Sequence, residues 1–187
     1  MAESYITIIL IIVGILFIIY IISLFNGLIR LRINIDKSWA NIDVLLKQRH
    51  DELPNLISAV KGYMKHEKSV LESLTKARTS MFNTKNTAQK AAANDTISNS
   101  LKTIFAVSEN YPQLRANENF KQLQERISEL ENQIADRREF YNDSTANFNM
   151  RIQSFPDLII AKLMGYTKPR DMFQATEQEK RTKDIDI

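Results

Sequence analysis

The sequence predicts an all-α protein, with an N-terminal transmembrane helix followed by a long antiparallel bundle of three to four helices in coiled-coil-like packing. Three observations carry this. Gly and Pro number four each in 187 residues, too few turn formers for a many-stranded β fold or a Gly-rich nucleotide loop. The first thirty positions hold a nearly unbroken apolar run. Beyond it, apolar residues recur at steps of three and four, the period of one helix face. Hydrophobic residues make up 44% of the chain, yet mean hydropathy is only -0.27, so the remainder is distinctly polar. The absence of Cys excludes disulfides, thiolate nucleophiles and Cys-ligated metal. A net charge of +3 is too small to point to nucleic acid, and none is expected as a partner.

The anchor comes first. No charged residue occurs from Ser4 to Ile29, and Ile6 to Phe25 is almost entirely Ile, Leu, Val and Phe. A helix of about 20 such residues spans the roughly 30 Å hydrocarbon core. Tyr5 at one end and Tyr20 to Phe25 at the other supply interfacial aromatics, so residues 5–25 are expected to contact lipid. A cleaved signal peptide needs a basic leader, a shorter core and a small-residue cleavage site, whereas this leader is Met-Ala-Glu-Ser and no Ala-x-Ala follows. A single-pass anchor in the cell membrane is expected. Arg30, Arg32 and Lys37 follow the span, against Glu3 and the terminal amine before it. Basic flanks stay in the cytoplasm, which predicts a cytoplasmic bundle with the N-terminus outside.

The first arm is read from Leu28, Leu31, Ile35, Trp39, Ile42 and Leu46, continued by Leu53, Leu56, Val60 and Met64. Pro54 removes a donor and crowds the carbonyl of His50, predicting a kink or short break at Leu53 between two nearly collinear pieces. The pattern resumes at Val70, Leu71, Leu74 and Met81, so Ile35 to about Ser80 reads as one long arm. Asn83 to Asp95 lacks large apolar residues and reads as a surface turn or frayed end, with Asn94 or Asp95 capping a second helix through Ile97, Leu101, Ile104 and Phe105. Glu109-Asn110-Tyr111-Pro112 breaks that helix. Asn117 starts a third, whose stripe runs Phe120, Leu123, Ile127, Leu130, Ile134, Tyr141, Thr145, Phe148 and Ile152 between charged residues. Such narrow stripes need mutual packing. Phe155-Pro156 ends the third arm.

Leu158, Ile159, Ile160, Leu163 and Met164 then form a short apolar patch. One reading lays it on the membrane surface as an amphipathic helix, with Leu158, Ile159, Leu163 and Lys162 as candidate membrane-surface residues. The other folds it back as a fourth core helix, and the scarcity of polar positions favours this one. The domain division expected is 1–29 for the anchor, 30–173 for the bundle and 174–187 for a polar flexible tail.

Several blocks resemble the LemA family of membrane-anchored bacterial proteins. They are Lys37-Ser38-Trp39-Ala40-Asn41-Ile42-Asp43-Val44, Leu46-Lys47-Gln48-Arg49, Leu53-Pro54-Asn55-Leu56-Ile57 and Val60-Lys61-Gly62-Tyr63-Met64, followed by Glu109 to Phe120, Arg137 to Asn142 and Ser154-Phe155-Pro156. The resemblance runs from the anchor to about Phe173. It implies an anchored antiparallel bundle, and it implies no enzyme, cofactor or catalytic residue. A magnetosome-associated branch of that family implies a part in organising membranes or membrane-bound complexes.

Reactive constellations are scarce. His50 and His66 are the only histidines, sixteen apart, without a Glu-x-x-His or His-x-x-x-His pairing. Surface or interhelical polar contact is expected of both, and Arg137-Arg138 is expected to form surface ion pairs. No catalytic residue, metal site or cofactor is assigned. The candidate partner-docking residues are Leu53, Pro54 and Asn55, where a proline frees carbonyls in mid-helix, and Tyr111, Pro112 and Asn117, on a loop. The function expected is a non-enzymatic interaction or scaffold module at the bacterial cell membrane. Its partners would be other membrane or cytoplasmic proteins, with self-assembly as a further expectation. The alternative is a lipid-organising or membrane-remodelling protein.

Overall fold

The structure is a computed structural model that describes residues 2–64, 67–83 and 87–173. Among the described residues all regular structure is helical: α1 (Ala2–Lys61), α2 (Lys68–Asn83), α3 (Thr87–Ser108), α4 (Pro112–Arg115), α5 (Glu118–Gln153) and α6 (Asp157–Leu163). The expectations for His66 and for the tail 174–187 lie outside the described residues. The chain divides into two compact units.

The first unit comprises residues 1–40 and 139–172. Its apolar stretch is long enough to cross a membrane, and the most apolar part of α1 is only 6% buried. Burial begins at Leu24 and continues through Leu28 and Ile35, which pack with Phe148, Ile152, Ile160 and Ala161. Ile21 and Met164 lie against the same cluster. Each Leu, Ile or Phe among them contributes about 1.5–3 kcal/mol when removed from water. The two long helices run antiparallel here, since Trp39 meets Tyr141 edge-on at 5.8 Å between ring centroids while the Arg151 guanidinium lies over Gly27. A Cβ at Gly27 would come within 2.9 Å of that guanidinium, which is why the smallest residue suits the crossing.

The second unit comprises the described residues from 41 to 138, with Phe173. Leu46, Leu53, Leu56 and Val60 of α1 are buried, as are Leu74 and Ala77 of α2, Ile97, Leu101 and Ile104 of α3, and Phe120, Ile127, Leu130 and Ile134 of α5. Arg126 of α5 pairs with Glu52 of α1 at 2.8 Å, and Phe105 of α3 meets Phe120 of α5 at 6.4 Å. With Arg49 of α1 and Ser98 of α3 both meeting Glu131, these pairings make α5 antiparallel to both.

Three expectations about element boundaries are corrected. Ile35 to Ser80 is not one arm: the chain leaves the helix after Lys61 and starts α2 at Lys68. Both Tyr63 and Met64 donate their N–H to the Val60 carbonyl, closing the last turn of α1. Helical phase persists across the turn because both helices bury a stripe against the same unit, so phase alone did not distinguish a hairpin from a rod. Of the kink or short break expected at Leu53, the break is absent, since α1 continues through Pro54. Leu53 and Leu56 on either side are fully buried, and their packing outweighs one lost N–H bond. The turn expected over Asn83 to Asp95 is largely helix, since α3 begins at Thr87. Asn94 and Asp95 do not cap it; their side chains reach to other helices, as described below. The corner between α3 and α5 falls where expected, at Glu109 to Asn117, with α4 as one turn inside it.

Candidate functional site

The residues singled out in the sequence fall in three places. In the second unit, Leu53 is fully buried, Pro54 is half-buried and Asn55 is exposed. In the same unit, Tyr111 is half-buried before α4, Pro112 is its exposed first residue, and Asn117 Oδ1 accepts the Phe120 N–H at 3.2 Å. Asn117 therefore caps α5, satisfying one of its orphan donors. Among the described residues, no hydrogen bond or ion pair joins these two groups.

The second unit also holds a polar cluster that the sequence did not announce. Arg49 of α1 is fully buried. Its guanidinium donates to the Glu131 carboxylate of α5, to the Asn94 Oδ1 of α3, and to the Ser98 Oγ at 2.8 Å. The Ser98 hydroxyl in turn donates to Glu131 Oε2 at 2.8 Å. Nearby, Arg138 donates to Asp95 at 3.0 Å and lies over the Phe173 ring at 5.0 Å. Burial lowers the pKa of Arg49, opposed mainly by the Glu131 charge; a guanidinium stays charged regardless. One signal was available: the stripe steps from Leu46 to Leu53, and the missing position between them is Arg49. Asn94 likewise stands three before Ile97. The cluster thereby ties α1, α3 and α5 together through one guanidinium. Adjacent His50 is also buried, and burial holds its pKa below the ordinary value, with the Arg78 charge adding and Asp51 opposing.

In the first unit, α6 places the remaining candidates. Ile160 and Ala161 enter the core, Leu158 is half-buried, and Lys162 is exposed. Ile159 is 53% exposed, and Leu163 and Phe155 are each 80% exposed. Ile159 and Leu163 stand four apart on α6, with Phe155 exposed in the turn before it, so the patch both fills the core and shows apolar side chains outward. An ion pair from Arg151 to Asp157 in the first turn of α6 holds the corner. Because the core behind it includes Ile21 and Leu24, this corner stands beside the last turns of the apolar run. Among the described residues no group of three His, Cys, Asp or Glu is placed to hold a metal ion.

Comparison with known proteins matches these features to a family. The profile described as the LemA family matches residues 38–187, more than half of the chain and beginning beyond the apolar run. Among curated relatives, magnetosome protein MamQ 2 of Paramagnetospirillum magneticum is 33% identical over 76 residues, 41% of this chain and 28% of that protein. Magnetosome protein MamQ of Magnetospirillum gryphiswaldense is 29% identical over 70 residues, 37% of this chain and 26% of that protein. The chain thus covers little more than a quarter of the length of the relatives it matches.

Proposed function

The chain belongs to the LemA family, and from that premise we propose that it is a membrane-anchored, non-enzymatic interaction or scaffold module at the bacterial cell membrane, binding other membrane or cytoplasmic proteins and itself. The observation that supports this best lies in the first unit, where α1 passes from its exposed apolar stretch into packed core at Leu24 without a break. Left in water, that stretch would be a contiguous apolar surface far larger than soluble monomers tolerate. In a bilayer it becomes a stem with no flexible linker, so what packs on it is displayed at a set height. Relatives named as magnetosome proteins, rather than by a catalysed reaction, support the same reading.

Docking is assigned to Pro54 and Asn55, with Leu53 as their support in the core, and to Tyr111 and Pro112 at the corner that Asn117 caps. Photocrosslinkers at Asn55 and Tyr111 in native membranes test this. A discrete protein adduct or a self-adduct of fixed mass supports the scaffold, whereas only uncrosslinked chain at both positions contradicts it. The bundle is assigned to the cytoplasm. Because the chain has no Cys, single cysteines at Ser4 and Lys37 can be probed with an impermeant thiol reagent on intact cells. Labelling at Ser4 alone supports the assignment, and labelling at Lys37 alone reverses it.

A second reading, lipid organisation, has its own observation: Phe155, Ile159 and Leu163 are exposed, with Lys162 beside them, on a segment whose Ile160 and Ala161 share a core with Leu24.

A further inference from the structure

The first unit contains a cavity of about 350 Å³ whose walls include Arg32, Phe148, Tyr166, Thr167, Lys168 and Arg170. Three of these are cations and none is an acid. Arg32 is held by its own surroundings: Nη1 donates to the Tyr166 hydroxyl at 3.1 Å, and the guanidinium lies 5.5 Å from that ring's centroid. Arg170 is pinned through its backbone, since its N–H donates to Asn149 Oδ1 and its carbonyl accepts from Asn149 Nδ2, both at 2.8 Å. Its guanidinium also donates to Asp36 at 2.7 Å, and Arg32 lies 3.9 Å from the same carboxylate. Lys168 is exposed and has no ion-pair partner among the described residues. One acid thus serves two of the three cations that line the cavity, which holds excess positive charge beside two aromatic rings.

Its position relative to the apolar run matters as much as its charge. Arg32 is seven residues beyond Phe25, about 10 Å along a helix axis. The headgroup layer extends roughly 5–8 Å beyond the hydrocarbon on each side, and arginine stems reach several ångströms further toward charge. The opposite wall is seated at the same level, because Met164 and Tyr166 pack on the cluster built from Leu24, Leu28 and Ile35.

We propose that this cavity binds the phosphate of an anionic phospholipid headgroup, in the leaflet from which α1 emerges. The inference rests on the reading of residues 5–25 as a membrane span. Arg32 and Arg170 are pre-oriented forks of the geometry that phosphate oxygens take in pairs. Lys168 supplies a mobile point charge at the mouth. The bound lipid would add a second grip on the bilayer beside the span itself.

The test uses the full chain in a neutral detergent, titrated with phosphatidylglycerol, with phosphatidylcholine, with glycerol 3-phosphate and with inorganic phosphate, each read by native mass spectrometry. One phosphatidylglycerol is expected to bind about tenfold more tightly than phosphatidylcholine, since only the former brings net charge. Lys168→Gln, which breaks no contact in the fold, should weaken it severalfold, and Arg32→Gln more. Arg30→Gln and Lys37→Gln, which do not line the cavity, should change it little. Equal binding of the two lipids, or binding indifferent to Lys168→Gln and Arg32→Gln, overturns the proposal. Saturation by glycerol 3-phosphate or inorganic phosphate, with no advantage to the lipid, overturns the lipid as the source. Carbonate washing of membranes separates the two readings. A chain that stays in the pellet but lacks selective lipid binding loses this site and keeps its anchor, whereas a chain released by carbonate loses the anchor.

Discussion

Arg49 joins α1, α3 and α5 through one buried guanidinium. Buried pairs add little net stability over apolar replacements, but breaking one partner is costly because the other is left desolvated. Arg49→Ala strands Glu131 and Asn94, and should lower the unfolding free energy by about 3 kcal/mol in urea titrations of the full chain in micelles. Arg49→Met combined with Glu131→Leu should recover most of that loss, because neither charge then remains unpaired. His50 predicts a pH dependence. Burial lowers its folded pKa below the ordinary 6.5, so the folded chain binds fewer protons than the unfolded chain in the window just below that value. Its contribution is fully present above 6.5 and is lost as pH falls toward the folded value. Thermal unfolding followed by circular dichroism should therefore show Tm declining on acidification from about pH 7 to pH 5, and His50→Gln should flatten that decline. Residue roles were unevenly legible. The cap at Asn117 could be read from the sequence, because capping is local chemistry. The Arg49 cluster could not, because its partners come from Asn94, Ser98 and Glu131, on two helices whose pairing no local pattern encodes.

At the scale of elements, periodicity marked most of the helices and misplaced several of their ends. The stripe of α5, from Phe120 to Ile152, was readable because a single face is buried along its whole length. The hairpin from α1 to α2 was not, because Gly62 to Met64 carries no strong turn dipeptide and the apolar phase happens to continue. The start of α3 was hidden by small residues, Ala91 to Ala93, which are good helix formers but mark no face. Proline makes no break in α1. Pro54 stays within α1, where it still withholds a donor from the ladder. Pro54→Ala should raise stability by about 1 kcal/mol, as read by chemical denaturation. If the same variant also loses crosslinking at Asn55, the proline serves docking; if crosslinking is unchanged, it is tolerated only as structure. Gly62→Ala meets nothing within 4 Å and should leave the melting temperature nearly unchanged or slightly raised.

For the whole molecule, fold class and anchor followed from composition and one apolar run, since bilayer thickness and helix rise leave few alternatives. The division into two units and the corner built by α6 did not follow, because both depend on where distant segments of chain meet. The corner carries the central proposal: residues 5–25 span the bilayer and run straight into a packed unit, whose exposed Ile159 and Leu163 would then rest at the bilayer surface. Spin labels at Leu16, Leu163 and Phe140 of the full chain, reconstituted into vesicles, measure this directly through accessibility to oxygen and to a water-soluble nickel complex. Phe140 is exposed and adjoins Tyr141, which meets Trp39, so it reports a level about 20 Å beyond the span. The account predicts Leu16 in hydrocarbon, Leu163 at interfacial depth and Phe140 in water. A label at Leu163 as accessible to the nickel complex as one at Phe140 would contradict it.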